Sequence, residues 1–308
     1  MIIGIPRAFL YHRYSTLWKT FFEELGIEYV ISPATTREIM SQGMACAIDE
    51  ACLSSKVYIG HVEWLIDRCD KILVPRISYY GPHGTVCTKF QAIYDVVRNT
   101  FRSRSAEFLD YNIDTQTPEG EPKAFLKLGK SLGRRTSSSM RAYLVARQAL
   151  KADELMEQRL QEKQLDEPGI KVLVVSHRYN IYDKFIGEPI LQDLRRMGVV
   201  PVLADAVNRQ EAVNAAAEIS GTLPWAFNKE LVGAMALWKE RVDGIMLVST
   251  FPCGPDSLVN EIVVRRIDDI PILNLVIDGQ EGSAGLETRL ESFIDVIKFK
   301  RDDYSAEV

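Results

Sequence analysis

The feature that most constrains this chain is an alternation of short apolar runs with helix-period segments, met once in each half. Residues 2–5 (IIGI) form an apolar run that stops at Pro6. Leu17, Phe21, Phe22 and Leu25 then recur at helix spacing, and Gly26 supplies a C-terminal stop. A strand over residues 27–32, a capped helix near 35–43 and a longer helical stretch near 51–68 follow. The run Lys71-Ile72-Leu73-Val74-Pro75 reads as a strand that ends in a Gly- and Pro-rich loop, with a helix near 90–100. Strands separated by helices cannot pair as hairpins, so this rhythm calls for a parallel sheet.

The second half repeats the rhythm. Strands are expected over residues 170–176, 199–204, 244–249 and 270–277, and helices over 189–197, 208–219, 229–240, 257–267 and 284–297. Between the halves, Pro118, Gly120 and Pro122 break the pattern, and long stretches of Ala, Leu, Arg, Lys and Glu follow. The expected organisation is an α/β lobe over residues 1–115, a helical connector over 116–168 and a second α/β lobe over 169–308. In each lobe an Asp leads into a strand, Asp70 before residues 71–74 and Asp243 before 244–248, and a cysteine-bearing loop comes after. In open parallel sheets the functional crevice lies beyond the carboxyl ends of the strands, which is where this places Cys87 and Cys253.

Composition narrows the function classes. With 308 residues and 46% hydrophobic content, the chain has core material for two domains at roughly 100 to 200 residues each. Lys and Arg number 37 against 42 Asp and Glu, a net charge of -5, which is the wrong sign for holding nucleic acid by bulk charge. Pro6 and Arg7 interrupt the opening where a signal peptide needs an unbroken apolar stretch, and no apolar run elsewhere approaches a membrane span. A cytoplasmic protein is expected, with neither nucleic acid nor membrane as partner. The five cysteines, Cys46, Cys52, Cys69, Cys87 and Cys253, are odd in number and contain no C-x-x-C pair. Disulfides and zinc ribbons are therefore not expected, and a metal site would draw on distant segments.

Three of the five share a setting. In Cys253-Gly254-Pro255-Asp256-Ser257, Gly254 permits close approach of a bulky group and Pro255 suits the first helical position. The thiol then faces the free N–H groups of a helix start, which favour thiolate. Cys87 precedes a helix with Lys89 beside it, and Cys52 precedes one with Lys56 a turn later. Amide donors and cations around thiolates suit an anionic iron–sulfur cluster. A small buried hydrophobe at a strand end, for Cys253, and solvated surface lysines, for Lys56 and Lys89, are the competing readings. Zinc is a further alternative, with His83 joining Cys52, Cys87 and Cys253. Cys46 and Cys69 are expected to pack in the core, and His61 to be structural. Arg7, His12 and Arg13 form a basic turn after the first strand, read either as solvated or as facing a phosphate.

Several blocks together carry a resemblance: Ile3-Gly4-Ile5-Pro6-Arg7, Asp49-Glu50-Ala51-Cys52 through Lys56, Gly60-His61-Val62, Val74-Pro75-Arg76, Cys87-Thr88-Lys89-Phe90, Cys253-Gly254-Pro255-Asp256-Ser257 and Gly285 through Glu291. On these the chain resembles the activase-related branch of the 2-hydroxyacyl-CoA dehydratase and benzoyl-CoA reductase superfamily. The resemblance implies two flavodoxin-like or Rossmann-like lobes with mainly parallel sheets. It implies a 4Fe-4S cluster in the inter-lobe cleft on Cys52, Cys87 and Cys253, with Lys56, Lys89, Gly254 and Ser257 in support. A zinc ion or a larger iron–sulfur cluster is the alternative occupant. It further implies a dimer, an activator ATPase that delivers a low-potential electron, and an acyl-CoA whose thioester carbonyl is reduced to a ketyl so that a hydroxyl can leave.

The chain departs from the branch at three places. Ser54 and Thr88 stand where proline is usual, and Asp278-Gly279-Gln280 stands where Asp-Glu-His is usual. The last departure removes an acid and a histidine, and favours a non-catalytic electron-transfer or assembly partner as the alternative to a dehydratase-like enzyme.

Overall fold

A computed structural model describes residues 1–79, 84–116, 120–279 and 283–306. Contacts divide the chain into two compact units: residues 1–156 with 224–226, and residues 157–223 with 227–308. The division falls inside one long helix.

The first unit holds four parallel strands, β1 (Ile2–Ile5), β2 (Glu28–Ile31), β3 (Lys71–Tyr79) and β4 (Glu107–Asp114), in the order β2-β1-β3-β4. Helices α1 (Tyr11–Glu24), α2 (Arg37–Cys46), α3 (Leu53–Leu65), α4 (Thr88–Thr100) and α5 (Glu121–Ser131) connect and flank them, and α6 (Thr136–Leu165) follows. An aromatic cluster fills this core. Phe21 meets Phe125 at 4.9 Å between ring centroids, Tyr111 meets Phe125 at 5.1 Å, and Trp18 donates its indole N–H to the Tyr111 hydroxyl.

The second unit repeats the topology with β5 (Ile170–Val175), β6 (Val199–Leu203), β7 (Gly244–Thr250) and β8 (Ile272–Ile277), all parallel, in the order β6-β5-β7-β8. Its helices are α7 (Arg178–Ile181), α8 (Glu188–Arg196), α9 (Arg209–Ile219), α10 (Ala226–Trp238), α11 (Gly254–Arg266) and α12 (Ser283–Ala306). Every residue of β7 is buried, the near-continuous apolar signature of a parallel strand covered on both faces. Val172, Val174, Met246 and Val248 pack against Ile190, Leu194, Phe293 and Ile297.

The α/β class and the paired, parallel-stranded halves are as the sequence predicts, and two strands differ. The expected third strand stopping at Pro75 continues to Tyr79. Proline has no N–H for a ladder, yet β1 pairs with β3 only at Lys71 and Ile72, which leaves β3 with β4 as its neighbour at Pro75. No strand is legible over Glu107–Asp114, where charged and amide residues interleave with Phe108, Leu109, Tyr111 and Ile113. The structure forms β4 there because alternate residues, Leu109, Tyr111 and Ile113, are buried while the rest face outward at a sheet edge.

Candidate functional site

In each sheet the strand order reverses between the first and third strands, and ligand crevices of open parallel sheets form beyond the carboxyl ends of the strands at such a point. In the second unit those strands are β5 and β7. Beyond β5 stands His177, and beyond β7 stands Cys253.

His177, Asn228, Cys253 and Asp256 form one buried network. His177 Nε2 donates to Asp256 Oδ1 at 2.8 Å, Asn228 Nδ2 donates to the same oxygen at 2.9 Å, and the Cys253 thiol hydrogen-bonds to the carboxylate. Burial by itself would raise the Asp256 carboxyl. The neighbouring His177 and the three hydrogen bonds win, and hold it below the usual carboxylate range. Tyr179 stacks on the imidazole at 5.0 Å between centroids. The cavity beside His177, Asn228 and Asp256 has a volume of about 10 Å³, room for about one water and none for a substrate. This network therefore supports the cysteine from behind. The sequence signal for it was the Asp256 that follows Cys253 by three residues; the partners His177 and Asn228 lie far off in the chain and carry no local signature.

Each of the three candidate cysteines occupies the N-cap of a helix: Cys52 of α3, Cys87 of α4 and Cys253 of α11. All three have extended backbone, with φ, ψ of -62, 153 for Cys52, -65, 154 for Cys87 and -95, 105 for Cys253. No side chain caps these helices, so the first-turn N–H groups stay unclaimed by a cap and the sulfurs sit at the positive end of each helix dipole. Cys52 is buried, whereas Cys87 and Cys253 are half-buried. Cys52 and Cys87 belong to the first unit and Cys253 to the second. Among the described residues, no group of three or more His, Cys, Asp or Glu side chains is arranged around a metal position. The chemistry of the donor set, three thiols outside any disulfide, each at a helix start with no side-chain cap, is of the kind an anionic iron–sulfur group would call for.

The supporting residues divide. Lys56 Nζ donates to the Asp49 carbonyl at 2.9 Å, so its ammonium is tied to the loop before Cys52. Lys89 is half-buried in the first turn of α4. Gly254 opens α11, and a methyl group there would meet nothing within 4 Å. Pro255 is accordingly the second helical residue. Ser257 donates its hydroxyl to the Cys253 carbonyl at 2.7 Å and so braces the turn.

The remaining cysteines part company. Cys69 packs as expected, with its sulfur against Gly4 and its thiol donating to the Leu65 carbonyl at 3.4 Å; burial pushes that thiol up to about 11. Cys46 does not pack. It is the exposed last residue of α2, because the helix docks on α3 through Ile39, Met40 and Gly43 and turns its end outward. His61 is structural, buried between the Ser32 and Thr35 hydroxyls at 2.8 and 2.9 Å. In the basic turn, Arg7 lies 5.7 Å from the Tyr11 ring and Arg13 lies 5.9 Å from the Tyr14 ring. His83, Gln280 and Glu281 fall outside the described residues.

The family model described as "CoA enzyme activase uncharacterised domain" matches residues 2–207, two thirds of the sequence. The chain belongs to that family. No curated protein matches this member of the CoA enzyme activase uncharacterised domain family. Among solved structures, the nickel-bound FpvC of Pseudomonas aeruginosa is 13% identical with a TM-score of 0.30, covering 98% of this chain and 97% of its own. A mutant of the laminin-binding adhesin Lmb of Streptococcus agalactiae is 11% identical with a TM-score of 0.27, covering 96% and 98%. Scores of this size leave those structures without bearing on the activase-domain chain. No helix among its described residues is long and apolar enough to cross a membrane.

Proposed function

We propose that this activase-domain protein binds a 4Fe-4S cluster on Cys52, Cys87 and Cys253 and takes part in ATP-driven, low-potential reduction on behalf of a CoA-thioester enzyme. The observation that carries the reading is that all three cysteines, on helices from different parts of the chain, are N-caps in extended conformation at uncapped helix starts. When bound, a cluster on three protein thiolates supplies a one-electron centre with one iron free of protein sulfur. The protein's share is to hold three sulfurs at positive helix ends, to leave space at Gly254, and to keep the His177–Asp256 network closed to solvent behind Cys253.

The sequence Asp278-Gly279-Gln280, in place of an acid and histidine, favours electron transfer or assembly with an activator ATPase over turnover of an acyl-CoA by this chain alone. Anaerobic purification with iron, sulfide and zinc analysis and an absorbance spectrum tests the cluster. Iron and sulfide in equal amounts, lost in Cys253→Ala, are expected; a zinc-loaded or iron-free protein after reconstitution would overturn the reading. Reductant-dependent turnover of an acyl-CoA by the isolated protein would overturn the electron-transfer role.

A further inference from the structure

The second unit carries a cavity of about 450 Å³, a volume in the range of small-molecule sites, lined by α6, α8 and the edge strand β6. The strand residues in its wall, Pro201 and Leu203, offer no free N–H: proline has none, and the Leu203 N–H donates to Gln161 Oε1 at 2.7 Å. A peptide strand adding to this edge would find no donor there, so the cavity suits a small molecule. Two glutamines three residues apart on α6 give the wall a donor and an acceptor. Gln161 is 4% exposed and its Oε1 is held by the strand, which leaves its amide nitrogen to donate. Gln164 Oε1 is buried with no hydrogen-bond partner among the described residues. That orphaned oxygen is a standing cost, which a ligand N–H recovers when the terminal amide turns to meet it. Tyr182 also lines the cavity, its ring held under the Arg178 guanidinium at 5.1 Å, and Arg178 is itself fixed by Glu157 and Asp205. Of the charged groups around the cavity, Glu157 is taken by Arg178, and Lys184 and Glu188 take each other. Among the described residues no carboxylate pairs with Arg195.

We propose that this cavity binds an adenine nucleotide, with the base on the two glutamines and a phosphate on Arg195. Adenine presents an N6 amino donor beside ring-nitrogen acceptors, the complement of the Gln164 carbonyl and the Gln161 amide. Its flat faces suit the apolar surface of Leu160, which is 53% exposed, of Leu191 and of the Tyr182 ring. The unpaired guanidinium of Arg195 offers a planar fork of donors that matches a phosphate. Because Tyr182 and Gln161 are already fixed by protein partners, little ordering cost is left to the ligand. The same chemistry belongs to a free nucleotide and to the nucleotide end of a larger coenzyme. The site uses no cysteine and holds whether or not the protein carries a cluster.

Isothermal titration calorimetry of the full chain with adenosine monophosphate, adenosine, inosine monophosphate and coenzyme A tests the site. Adenosine monophosphate is expected to bind saturably. Adenosine lacks the phosphate and inosine monophosphate lacks the N6 donor, and each is expected to bind about tenfold more weakly or worse. Arg195→Ala is expected to bring the monophosphate down to the affinity of adenosine and to leave adenosine unaffected. Gln164→Met removes the orphaned oxygen at nearly constant volume, so it is expected to erase the preference over inosine monophosphate while the free protein melts no lower than wild type. Coenzyme A binding more tightly than the monophosphate assigns the nucleotide end of a coenzyme as the ligand, and the reverse order assigns a free nucleotide. No heat of binding with adenosine monophosphate, equal binding of inosine monophosphate, or affinities that Arg195→Ala leaves unchanged would overturn the proposal. If Gln164→Met melts early, Arg195→Ala on the exposed rim still decides.

Discussion

His177 and Asp256, 79 residues apart in sequence, face each other across 2.8 Å, each with a side chain less than a tenth exposed. The pair exists because β5 and β7 are adjacent parallel strands whose carboxyl ends release their loops side by side. Truncating one member strands the other without its main partner. His177→Ala is expected to cost about 2 to 3 kcal/mol, the upper end for leaving a buried polar group without its hydrogen-bond partner. Asn228→Ala, which leaves the His177 bond in place, is expected to cost about 1 to 2 kcal/mol. Urea denaturation measures both, and equal effects would contradict the ranking.

The buried Arg178 predicts a second contrast. Its guanidinium binds Glu157 and Asp205 and lies over the Tyr182 ring. Arg178→Ala is expected to destabilise by about 3 to 5 kcal/mol because two carboxylates lose their cation. Arg265 pairs with Glu261 one turn away on an exposed helix face, and Arg265→Ala is expected to change stability by about 0.5 kcal/mol or less. Thermal melts of the two variants decide this.

His61 sets an acid limit on the fold. Burial, reinforced by the nearby cations His12 and Arg7, holds its imidazole down to about 3, whereas an unfolded histidine titrates near 6.5. Between those values the unfolded chain binds a proton that the folded chain refuses. Stability is therefore lost progressively as pH falls from about 6.5 toward 3, by a few kcal/mol in all. His61→Gln, neutral throughout and still able to meet Ser32 and Thr35, is expected to flatten that part of the stability profile. An unchanged acid limb would assign it to other groups.

Close approach of α2 and α3 depends on glycine. A methyl group on Gly60 would lie 2.0 Å from the Ile39 carbonyl oxygen, so Gly60→Ala must push the helices apart, at about 1 to 3 kcal/mol or more. Gly285, in α12, has nothing within 4 Å, and Gly285→Ala is expected to be neutral or stabilising by up to about 1 kcal/mol. Chemical denaturation of the pair is the check.

Thiol labelling separates the two cysteines outside the proposed ligand set. Iodoacetamide is expected to modify exposed Cys46 in the native protein and to leave Cys69 unmodified until the protein unfolds, since burial raises the Cys69 thiol and Leu65 holds it. Peptide mass mapping against time reads the order.

The cysteine positions were legible because helix starts have local grammar: Gly254 and Pro255 after Cys253, and helix-period apolar residues after Cys52 and Cys87, mark an N-cap from the chain alone. β4 was not legible, since its interleaved Asp110, Asn112 and Asp114 resemble a loop until a neighbouring strand gives the alternate apolar residues somewhere to go. Cys46 misled for the converse reason. An alanine-rich setting says that a thiol can be buried, and only the docking face of α2 says that it is not.

By itself the sequence determined the class of fold, two parallel α/β halves, and which three thiols open helices, because periodicity and capping act over a few residues. Only the tertiary structure decided what stands behind those thiols. Strand order brings His177 and Asn228 to Asp256, and with them a carboxylate to Cys253, because a hydrogen bond depends on distance in space and not on separation along the chain.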